Sequence, residues 1–572
     1  MGASHCTRSM HEEDSVLRLA PLPTLRGLLA GVLFALASLT PVDPAEAAVV
    51  VDCSKPSHSI GDKVGLGDKD LVIVVKGTCT ENVVVTRDDV TLTTDGVTPA
   101  AIVALDPARP ALVLDGARRV VVDGLAAGFS VSGGLFGVSA TRGSTLDLRN
   151  CAVAGNSANG VVASYGSAVT IDGCTIGPNA GNGAVAANAA SLVVTNSTVT
   201  GNSAAGITAV RSAHVRVGQD AAGTPVVKPV TVSGNGTNGV LITESSAGTV
   251  VGGTVQGSGQ ANVFVGRGSS GQIGVGTNGL LAGALIRNGA THGIAVEGGN
   301  ATIVHSTVTG NGSTGIIVTN AGSARIGILN GNAGYGPVSI TGNGETGLHV
   351  AIGGAAFVGA TTVDGNGTGG GAFGRSGIGV FGGSVALAGN NVVSNNAESG
   401  IFAARGGNVL VGDAAFGLGT VNSITGNGAA GPNNGGVFAF QNATIQVGGS
   451  TTIAGNVGAA VQAFEGGVVE LRNSASVTVP AAGVTPGALV TFASTLRLRD
   501  NASIVSATGD GIQASNLAAV NVRDASVVVH GNGAGGVGVR CVGLPAPAST
   551  LTGNLAGVAG TTGLQSGCNV FP

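Results

Sequence analysis

The fold is determined by a pattern that recurs in four segments of the chain. These segments are CAVAGNSANGVVAS (151–164), STVTGNSAAGITAV (197–210), STVTGNGSTGIIVT (306–319) and VSITGNGETGLHVA (338–351). Asn156, Asn179 and Asn202 follow one another at intervals of 23 residues, and Asn156 and Asn202 lie in the turns of the first two segments. Because self-similarity at a period of ~20–50 residues is typical of stacked repeats, the pattern predicts a solenoid.

The repeating unit has the periodicity of β-strands. After Gly293, the apolar residues Ile294 and Val296 alternate with other residues, which is a period of two and not the helical period of 3.6. Three short strands separated by Gly, Asn and Ser turns fit into one repeat and close as one rung of a parallel β-helix. The turn Asn residues are expected to stack on one another from rung to rung. We predict an all-β solenoid of about 17–20 rungs at a rise of ~4.8 Å, with N- and C-terminal caps.

Composition agrees with a thin core that is repeated many times. The 572 residues include 102 Gly and no Trp, aromatic residues make up 3%, and charged residues make up 10%. The glycines lack the three-residue period of collagen, and the charge is too low for a disordered chain. The net charge is −4 and no basic cluster occurs, so nucleic acid is not expected as a partner.

Two further stretches show a resemblance to a known superfamily. VGDAAFGLGTVNSITGN (411–427) and IGILNGNAGYGPVSITGN (326–343) are similar to runs in exported bacterial proteins with right-handed β-helix repeats. The chain resembles the pectate-lyase-like superfamily, and the resemblance covers the ~400 residues that the repeats span. The resemblance implies a right-handed, single-stranded parallel β-helix. It implies little about chemistry, since this fold supports many functions.

The N-terminal residues have the features of a secretory signal peptide. An apolar run, GLLAGVLFALASL (27–39), follows Arg26, and AEA (45–47) supplies a small-residue cleavage pattern. An uncleaved anchor is the alternative interpretation. The predicted domains are a signal peptide (1–47), an N-terminal cap with the first rungs (48–115), the parallel β-helix (116–540) and a C-terminal cap (541–572). The mature chain is then exported to the extracellular space, cell surface or periplasm, with no membrane span.

Cysteine usage fits an exported protein. The cysteines after the predicted cleavage site are Cys53, Cys79, Cys151, Cys174, Cys541 and Cys568. An even number outside the cytosol suggests disulfides. Cys151 and Cys174 share one register on adjacent rungs, where either a disulfide or a pair of stacked free thiols fits. Pairs Cys53–Cys79 and Cys541–Cys568 would close the two caps, although the sequence does not determine the connectivity.

One column of outward-pointing residues is apolar. We number the residues that follow the last Gly of the pattern as places one, two, three and so on. The side chains at the first and third places point inward, and the side chain at the second place points outward. Phenylalanine is concentrated in this column and at the fourth place, mainly between residues 381 and 464. The candidate binding residues are Phe264, Phe381, Phe402, Phe438, Phe440 and Phe464.

A second candidate site consists of charged residues at the fifth place of successive strands. Arg211, Glu244 and Arg267 should form an Arg–Glu–Arg stack. The stack could bind a polyanion or act on a uronate, with Glu244 as base. We favour the alternative, a charge ladder that stabilises neighbouring strands. The resemblance implies a groove rich in carboxylates and basic residues, and such a groove is largely missing.

Metal ligands are sparse in the sequence. Asp88 and Asp89 could hold Ca²⁺, but a turn with solvated charges is the favoured interpretation. No metal site and no cofactor are therefore predicted. Calcium is a possible cofactor only under the alternative in which the protein acts on uronates.

These observations favour a non-catalytic exported scaffold that takes part in adhesion, matrix assembly or glycan contact, with a glycan or another surface protein as partner. The first alternative is a lyase or epimerase that acts on uronate-containing polysaccharides. The second is a structural rod that self-associates through the Phe-bearing face. Scarce aromatic residues weigh against the enzyme, since sugar rings often pack on Trp or Tyr.

Overall fold

The computed structural model describes residues 48–571, with gaps at 67–69, 221–225, 330–333, 335, 371–373, 413–420, 432–433, 480–484, 507–508, 532–535, 543–548, 554–557 and 561–568. The chain divides into two units, 1–47 and 48–572. The predicted signal peptide therefore lies outside the described residues. Among those residues, no helix has the length and apolar character needed to cross a membrane.

The described residues form three parallel sheets and one short 3-10 helix, Thr277–Gly279. Strand Leu71–Thr80 contributes its first half to sheet 1 and its second half to sheet 2. Sheet 1 contains Val49–Asp52, Leu71–Thr80, Val90–Thr93, Val120–Asp123, Thr145–Arg149, Ala168–Asp172, Ser191–Thr195, His214–Val217, Ala247–Val250, Ser270–Ile273, Asn300–Ile303, Ser323–Ile326, Ala355–Val358, Ser384–Leu387, Asn408–Val411, Thr444–Val447, Val468–Leu471, Thr495–Leu498, Ala519–Val522, Thr550–Gly553 and Asn569–Phe571.

The other two sheets are built in the same way. Sheet 2 also contains Ala100–Val103, Phe129–Ser132, Cys151–Val153, Thr175–Ile176, Thr198–Thr200, Thr231–Ser233, Thr254–Gln256, Leu285–Arg287, Thr307–Thr309, Val338–Thr341, Thr361–Asp364, Asn391–Ser394, Asn422–Thr425, Thr451–Ala454, Ser476–Val479, Ser503–Ser506, Val528–Gly531 and Val558–Gly560. Sheet 3 contains Val83–Val85, Leu112–Asp115, Val138–Thr141, Val161–Ala163, Ala184–Ala187, Ile207–Val210, Val240–Ile242, Val263–Gly266, Ile294–Glu297, Ile316–Thr319, Leu348–Ala351, Ile378–Phe381, Ile401–Ala404, Val437–Phe440, Val461–Phe464, Ala488–Val490, Ile512–Ser515 and Val539–Val542.

Every strand pairs with the equivalent strand of the next rung. Val161 is in register with Ala184, and Ala184 is in register with Ile207 one rung later. Successive strands along the chain thus belong to different sheets, which confirms the predicted parallel β-helix. Parallel crossovers are right-handed in the great majority of proteins. The 18 described strands of sheet 3 agree with the predicted rung number.

The core lies inside the coil and consists of small aliphatic side chains. Ile294 and Val296 are both fully buried, and the second-place residue between them points to the outer face. Phe129 is the one aromatic residue among the buried core side chains of the described residues. Because three sheets enclose a narrow space, Val, Ile and Ala fill it, which explains the low aromatic content.

Stacked asparagines connect the rungs, as predicted. Asn156 donates from Nδ2 to Oδ1 of Asn179 at 2.8 Å, and Asn179 donates in turn to Asn202 at 3.0 Å. The buried amides also bond the backbone, because each Nδ2 can donate twice. These bonds satisfy polar groups that would otherwise be buried without partners.

The spacing of the Asn residues also predicts Asn288 and Asn395 as members of the stack, and both predictions are wrong. Asn288 and Asn395 have left-handed φ angles of 54° and 52° and lie in the turn instead of the stack. Asn396 occupies the stack beside Asn395 and bonds Asn427. Gly289 occupies one position of the stack and has no side chain to contribute. The side chain of Asn262 takes this position, and its Nδ2 donates to Oδ1 of Asn311 at 3.0 Å.

The N-terminal region closes the first rungs. Cys53 and Cys79 form a disulfide, as predicted, with a Cα–Cα distance of 5.0 Å. Glu81 accepts hydrogen bonds from the backbone amides of Ile60 and Gly61 at 2.7 and 2.9 Å. Ile60 is fully buried in the core cluster. The loop around Ile60 therefore covers apolar side chains at the start of the coil.

The other predicted cysteine pairs have different outcomes. Cys151 and Cys174 stack on adjacent rungs as expected but remain free thiols, so the disulfide considered for them is not formed. Equivalent side chains of parallel rungs point in the same direction and not towards each other. Instead of a disulfide, Sγ of Cys174 accepts a hydrogen bond of 3.3 Å from the backbone amide of Cys151. Cys541 is disulfide-bonded, while Cys568 lies outside the described residues.

Candidate functional site

The predicted column of outward residues on sheet 3 is present in the structure. Ile317, His349, Gly379, Phe402 and Phe438 are paired in this order on successive rungs. The pairing continues through Gln462 and Leu489 to Gln513. The second-place residues therefore form one continuous line along the outer face of the sheet.

Aromatic rings from this column and its neighbours contact one another in series. The rings that form this aromatic ladder are His349, Phe381, Phe402, Phe438, Phe440, Phe464 and Phe492. Ring centroids of Phe381 and Phe402 are 5.4 Å apart, and those of Phe402 and Phe438 are 5.3 Å apart. Most of the rings are half-buried, but Phe492 is 53% exposed. The ladder is thus an apolar surface that keeps access to solvent.

Phe264, which the sequence placed with the other candidate binding residues, lies apart from the ladder. Its ring packs against Ala261, Ala295 and Ile317 in a separate small cluster. The structure therefore brings Phe381, Phe402, Phe438, Phe440 and Phe464 together and leaves Phe264 outside. Sequence reasoning placed His349 in the outward column without naming it as a binding candidate, and it missed Phe492.

A line of polar residues borders the ladder in the turn before each sheet 3 strand. Strand pairing aligns the residues three places before Ile316, Leu348, Ile378, Ile401 and Val437 on successive rungs. These residues, which we call the polar column, are Ser313, Glu345, Arg375, Glu398 and Asn434. Backbone bonds from Glu345 to Ser313 and from Glu398 to Arg375, both 3.0 Å, confirm the alignment.

Two members of the polar column form an ion pair. Nε of Arg375 lies 3.2 Å from Oε1 of Glu398, and the Arg375 amide donates to Oε2 at 3.1 Å. Their side chains are 37% and 30% exposed. Glu345 is more buried and accepts a hydrogen bond from the Ser313 hydroxyl. The column therefore offers carboxylate, guanidinium and amide groups beside the aromatic ladder.

A recess of about 80 Å³ interrupts the surface beside Gly379, which has no side chain. The rings of Phe381, Phe402 and Phe438 line it, together with Glu398 and Asn434. The hydroxyl residues Thr346, Ser376 and Ser399 complete the lining. Apolar rings and several polar groups thus converge on one small concavity, the usual composition of a ligand site.

Two histidines near the recess are held in the neutral form. Burial, with a smaller effect of His292, lowers the pKa of His349 to about 4. Burial also lowers the pKa of His292, against the opposing effect of Glu345. The His349 ring stacks on Phe381 with 5.0 Å between centroids. At neutral pH this end of the ladder therefore has no imidazolium charge.

The predicted Arg–Glu–Arg stack forms at the corner that follows sheet 3. Oε2 of Glu244 lies 3.6 Å from Nε of Arg211, and Oε1 lies 3.6 Å from Nη1 of Arg267. All three residues have left-handed φ angles of 50–57°, so their side chains project from equivalent turns. Each carboxylate oxygen faces a guanidinium, which is the arrangement of a charge ladder.

Asp88 and Asp89 interact with an arginine from the next rung. Arg119 donates from Nη2 to Asp89 at 2.7 Å and lies 3.5 Å from Asp88. The hydrogen bond from Arg119 lowers the pKa of the Asp89 carboxyl. Within the described ranges, no group of three or more His, Cys, Asp or Glu side chains could hold a metal ion.

Comparisons with known proteins agree with the fold. A family model described as "Right handed beta helix region" matches residues 127–222. No curated protein matches the sequence. The A-modules of the mannuronan C-5 epimerases AlgE6 and AlgE4 from Azotobacter vinelandii are similar solved structures. AlgE6 has 13% identity, coverage of 87% of this chain and 91% of that chain, and a TM-score of 0.22. AlgE4 has 11% identity, coverage of 84% and 90%, and a TM-score of 0.19. These two similarities are too weak to support an argument about function.

Proposed function

We propose that this protein is an exported, non-catalytic β-helix scaffold that binds a glycan chain along the aromatic ladder and the polar column. The observation that supports this proposal is the continuous contact of the ladder rings beside a parallel line of hydrogen-bonding side chains. Sugar rings have apolar C–H faces that pack on aromatic rings and hydroxyl groups that bond carboxylates and guanidinium groups. A repeating surface suits a repeating polymer, since equivalent groups recur on successive rungs.

Export is supported by the cysteine chemistry. Cys53 is bonded to Cys79, and Cys541 is also in a disulfide. Disulfides persist in oxidising compartments such as the periplasm and the extracellular space. Together with the predicted signal peptide, they favour the cell surface, periplasm or extracellular space as location. Adhesion or matrix assembly is the role proposed for such a scaffold, with a glycan or another surface protein as partner.

The binding experiment uses the mature protein and two matched variants. We expect calorimetry or affinity electrophoresis against a polysaccharide panel to identify a ligand whose affinity falls at least tenfold in the double variant Phe402→Ser/Phe438→Ser. The matched control is Phe264→Ser, because this Phe occupies the same column outside the ladder. Equal loss in both variants, or unchanged affinity in the double variant, would contradict the proposal.

The same protein should be inactive on uronate polymers. Incubation with pectin, polygalacturonate and alginate, with and without Ca²⁺, should yield neither unsaturated products nor epimerised residues. Turnover that Glu244→Gln abolishes would support the lyase or epimerase alternative instead. Both outcomes can be measured by ultraviolet absorbance and by NMR of the polymer.

Self-association is a second candidate, favoured by the exposure of Phe492. This ring is 53% exposed and continues the ladder beyond Phe464, with 6.4 Å between the centroids. Exposed apolar patches often mark interfaces. Sedimentation should then show an oligomer that Phe402→Ser/Phe438→Ser dissociates, whereas a wild-type monomer would exclude this function.

A further inference from the structure

The recess at Gly379 has the composition of a subsite for one sugar ring. We propose that it binds a single neutral pyranose residue, a hexose with no carboxylate, at one end or branch of the glycan. This inference rests on the proposed function and adds the class of sugar and the position of the subsite. Three features of the recess support it: its missing side chain, its lining and its charge.

The backbone conformation at residue 379 does not require glycine. Gly379 lies mid-strand between His349 and Phe402 on neighbouring rungs, and its φ lies outside the left-handed region in which Gly is favoured. A Cβ atom here would lie 3.3 Å from both Phe381 Cε2 and Thr346 Cγ2, and 3.6 Å from His349 Nδ1. A side chain here would therefore crowd Phe381 and Thr346, which both line the recess, and glycine leaves these two residues undisturbed.

The lining matches the two faces of a pyranose. Phe381, Phe402 and Phe438 present apolar surface to the recess. Ser376 and Ser399 are almost fully buried there, at 4% and 1% exposure. A sugar ring can pack its C–H face on the phenyl rings and direct its hydroxyl groups to the serines.

The charge at the recess favours a neutral ligand over an acidic one. Glu398 lines the recess, whereas Arg375 and Glu345 of the polar column lie beside its lining residues, and the three charges sum to −1. The guanidinium is already paired with Glu398 at 3.2 Å. A uronate carboxylate would meet this net negative charge, whereas the CH₂OH group of the matching hexose would not.

The test compares sugars that differ only at C6. Saturation-transfer NMR is recorded on the mature protein with glucose, galactose and mannose, and with the corresponding uronates. We expect transfer to at least one hexose, at least fivefold weaker transfer to its uronate, and loss of the hexose signal in Gly379→Val. Gly65→Ala is the control, since a Cβ there meets no atom within 4 Å. Circular dichroism and melting confirm that Gly379→Val folds, and the smaller Gly379→Ala should weaken the signal in the same direction.

Three results would overturn the inference: no transfer to any hexose, stronger transfer to a uronate, or equal transfer in the wild type and in folded Gly379→Val. The outcome is separable from that of the proposed function. Polysaccharide binding that depends on Phe402 and Phe438 but not on Gly379 would remove only the neutral subsite. Polysaccharide binding that depended neither on Phe402 and Phe438 nor on Gly379 would contradict the glycan-binding function itself.

Discussion

Nδ2 of Asn343 donates a hydrogen bond of 2.8 Å to Oδ1 of Asn366 one rung later. Both side chains are fully buried, and the same Oδ1 also accepts from the backbone amide of Asn343 at 3.1 Å. A stacked Asn therefore bonds its neighbour through side chain and backbone together. This relationship recurs along the coil and connects rungs at the turn, where the strand ladders themselves are interrupted.

Replacing Asn343 by Ala should destabilise the rungs around it by about 2–4 kcal/mol, because buried donors and acceptors of Asn311 and Asn366 lose their partners. Urea unfolding followed by hydrogen exchange measures the loss and its location. Asn300→Ala is the control, since Asn300 is exposed at the start of a strand. Equal protection of the Asn311 and Asn366 amides in both variants would contradict the prediction.

Asn262 takes the place in the stack that Gly289 leaves without a side chain. Substitutions at these two positions should therefore be energetically coupled. In Gly289→Asn, the new Cβ would lie 2.9 Å from Nδ2 of Asn262, so we expect a loss of about 1–3 kcal/mol from overpacking. Adding Asn262→Gly should recover part of this loss. A double-mutant cycle measures the coupling, and additive effects of the two changes would show that the two positions are independent.

The mature protein should contain two unpaired thiols in the described residues. Cys151 and Cys174 are 3% and 2% exposed, so they should label slowly in the native state and completely after denaturation without reductant. Peptide mapping should find Cys53, Cys79 and Cys541 unlabelled until a reductant is added. A Cys151–Cys174 cross-linked peptide would instead support the disulfide that the sequence allowed.

Acid should weaken the region around His349. Its folded-state pKa of about 4 is below the ordinary value of ~6.5, so its contribution is present above pH ~6.5 and is lost as the pH falls towards 4. The full effect is about 3 kcal/mol. In His349→Phe, which can still stack on Phe381, unfolding free energy measured between pH 7 and pH 4 should decline less steeply. Identical pH slopes in both proteins would show that His349 does not titrate in this way.

Glu244→Gln should have a small effect on stability. The carboxylate and its two arginines are partly exposed, with side-chain exposures of 38%, 65% and 75%. Solvent screens such pairs, so we expect a loss below about 1 kcal/mol. Thermal melting at low and high salt checks this, because the difference between the two proteins should shrink as salt rises. A loss of several kcal/mol would mean that the stack is more than a surface ladder.

The candidate site was only partly accessible from sequence. Phe402 and Phe438 could be aligned because both occupy the second place of strands whose starts the repeat defines. Phe492 was missed because it lies at the fifth place, in a turn with a left-handed φ of 52°. The polar column was missed because Glu345 and Arg375 lie in the variable residues of the repeat, and their alignment depends on insertions of different length between rungs.

The sequence by itself determined the parallel β-helix and the direction of its side chains. Apolar residues with a period of two and regularly spaced Gly-Asn turns are local properties of the sequence. A short repeat can bury its apolar residues only by stacking on neighbouring repeats. Tertiary structure decided what the side chains do once stacked. Asn262 replaces the missing side chain at Gly289, Cys151 and Cys174 remain thiols, and a recess opens at Gly379. These outcomes depend on contacts between rungs, where atoms distant in sequence compete for the same space.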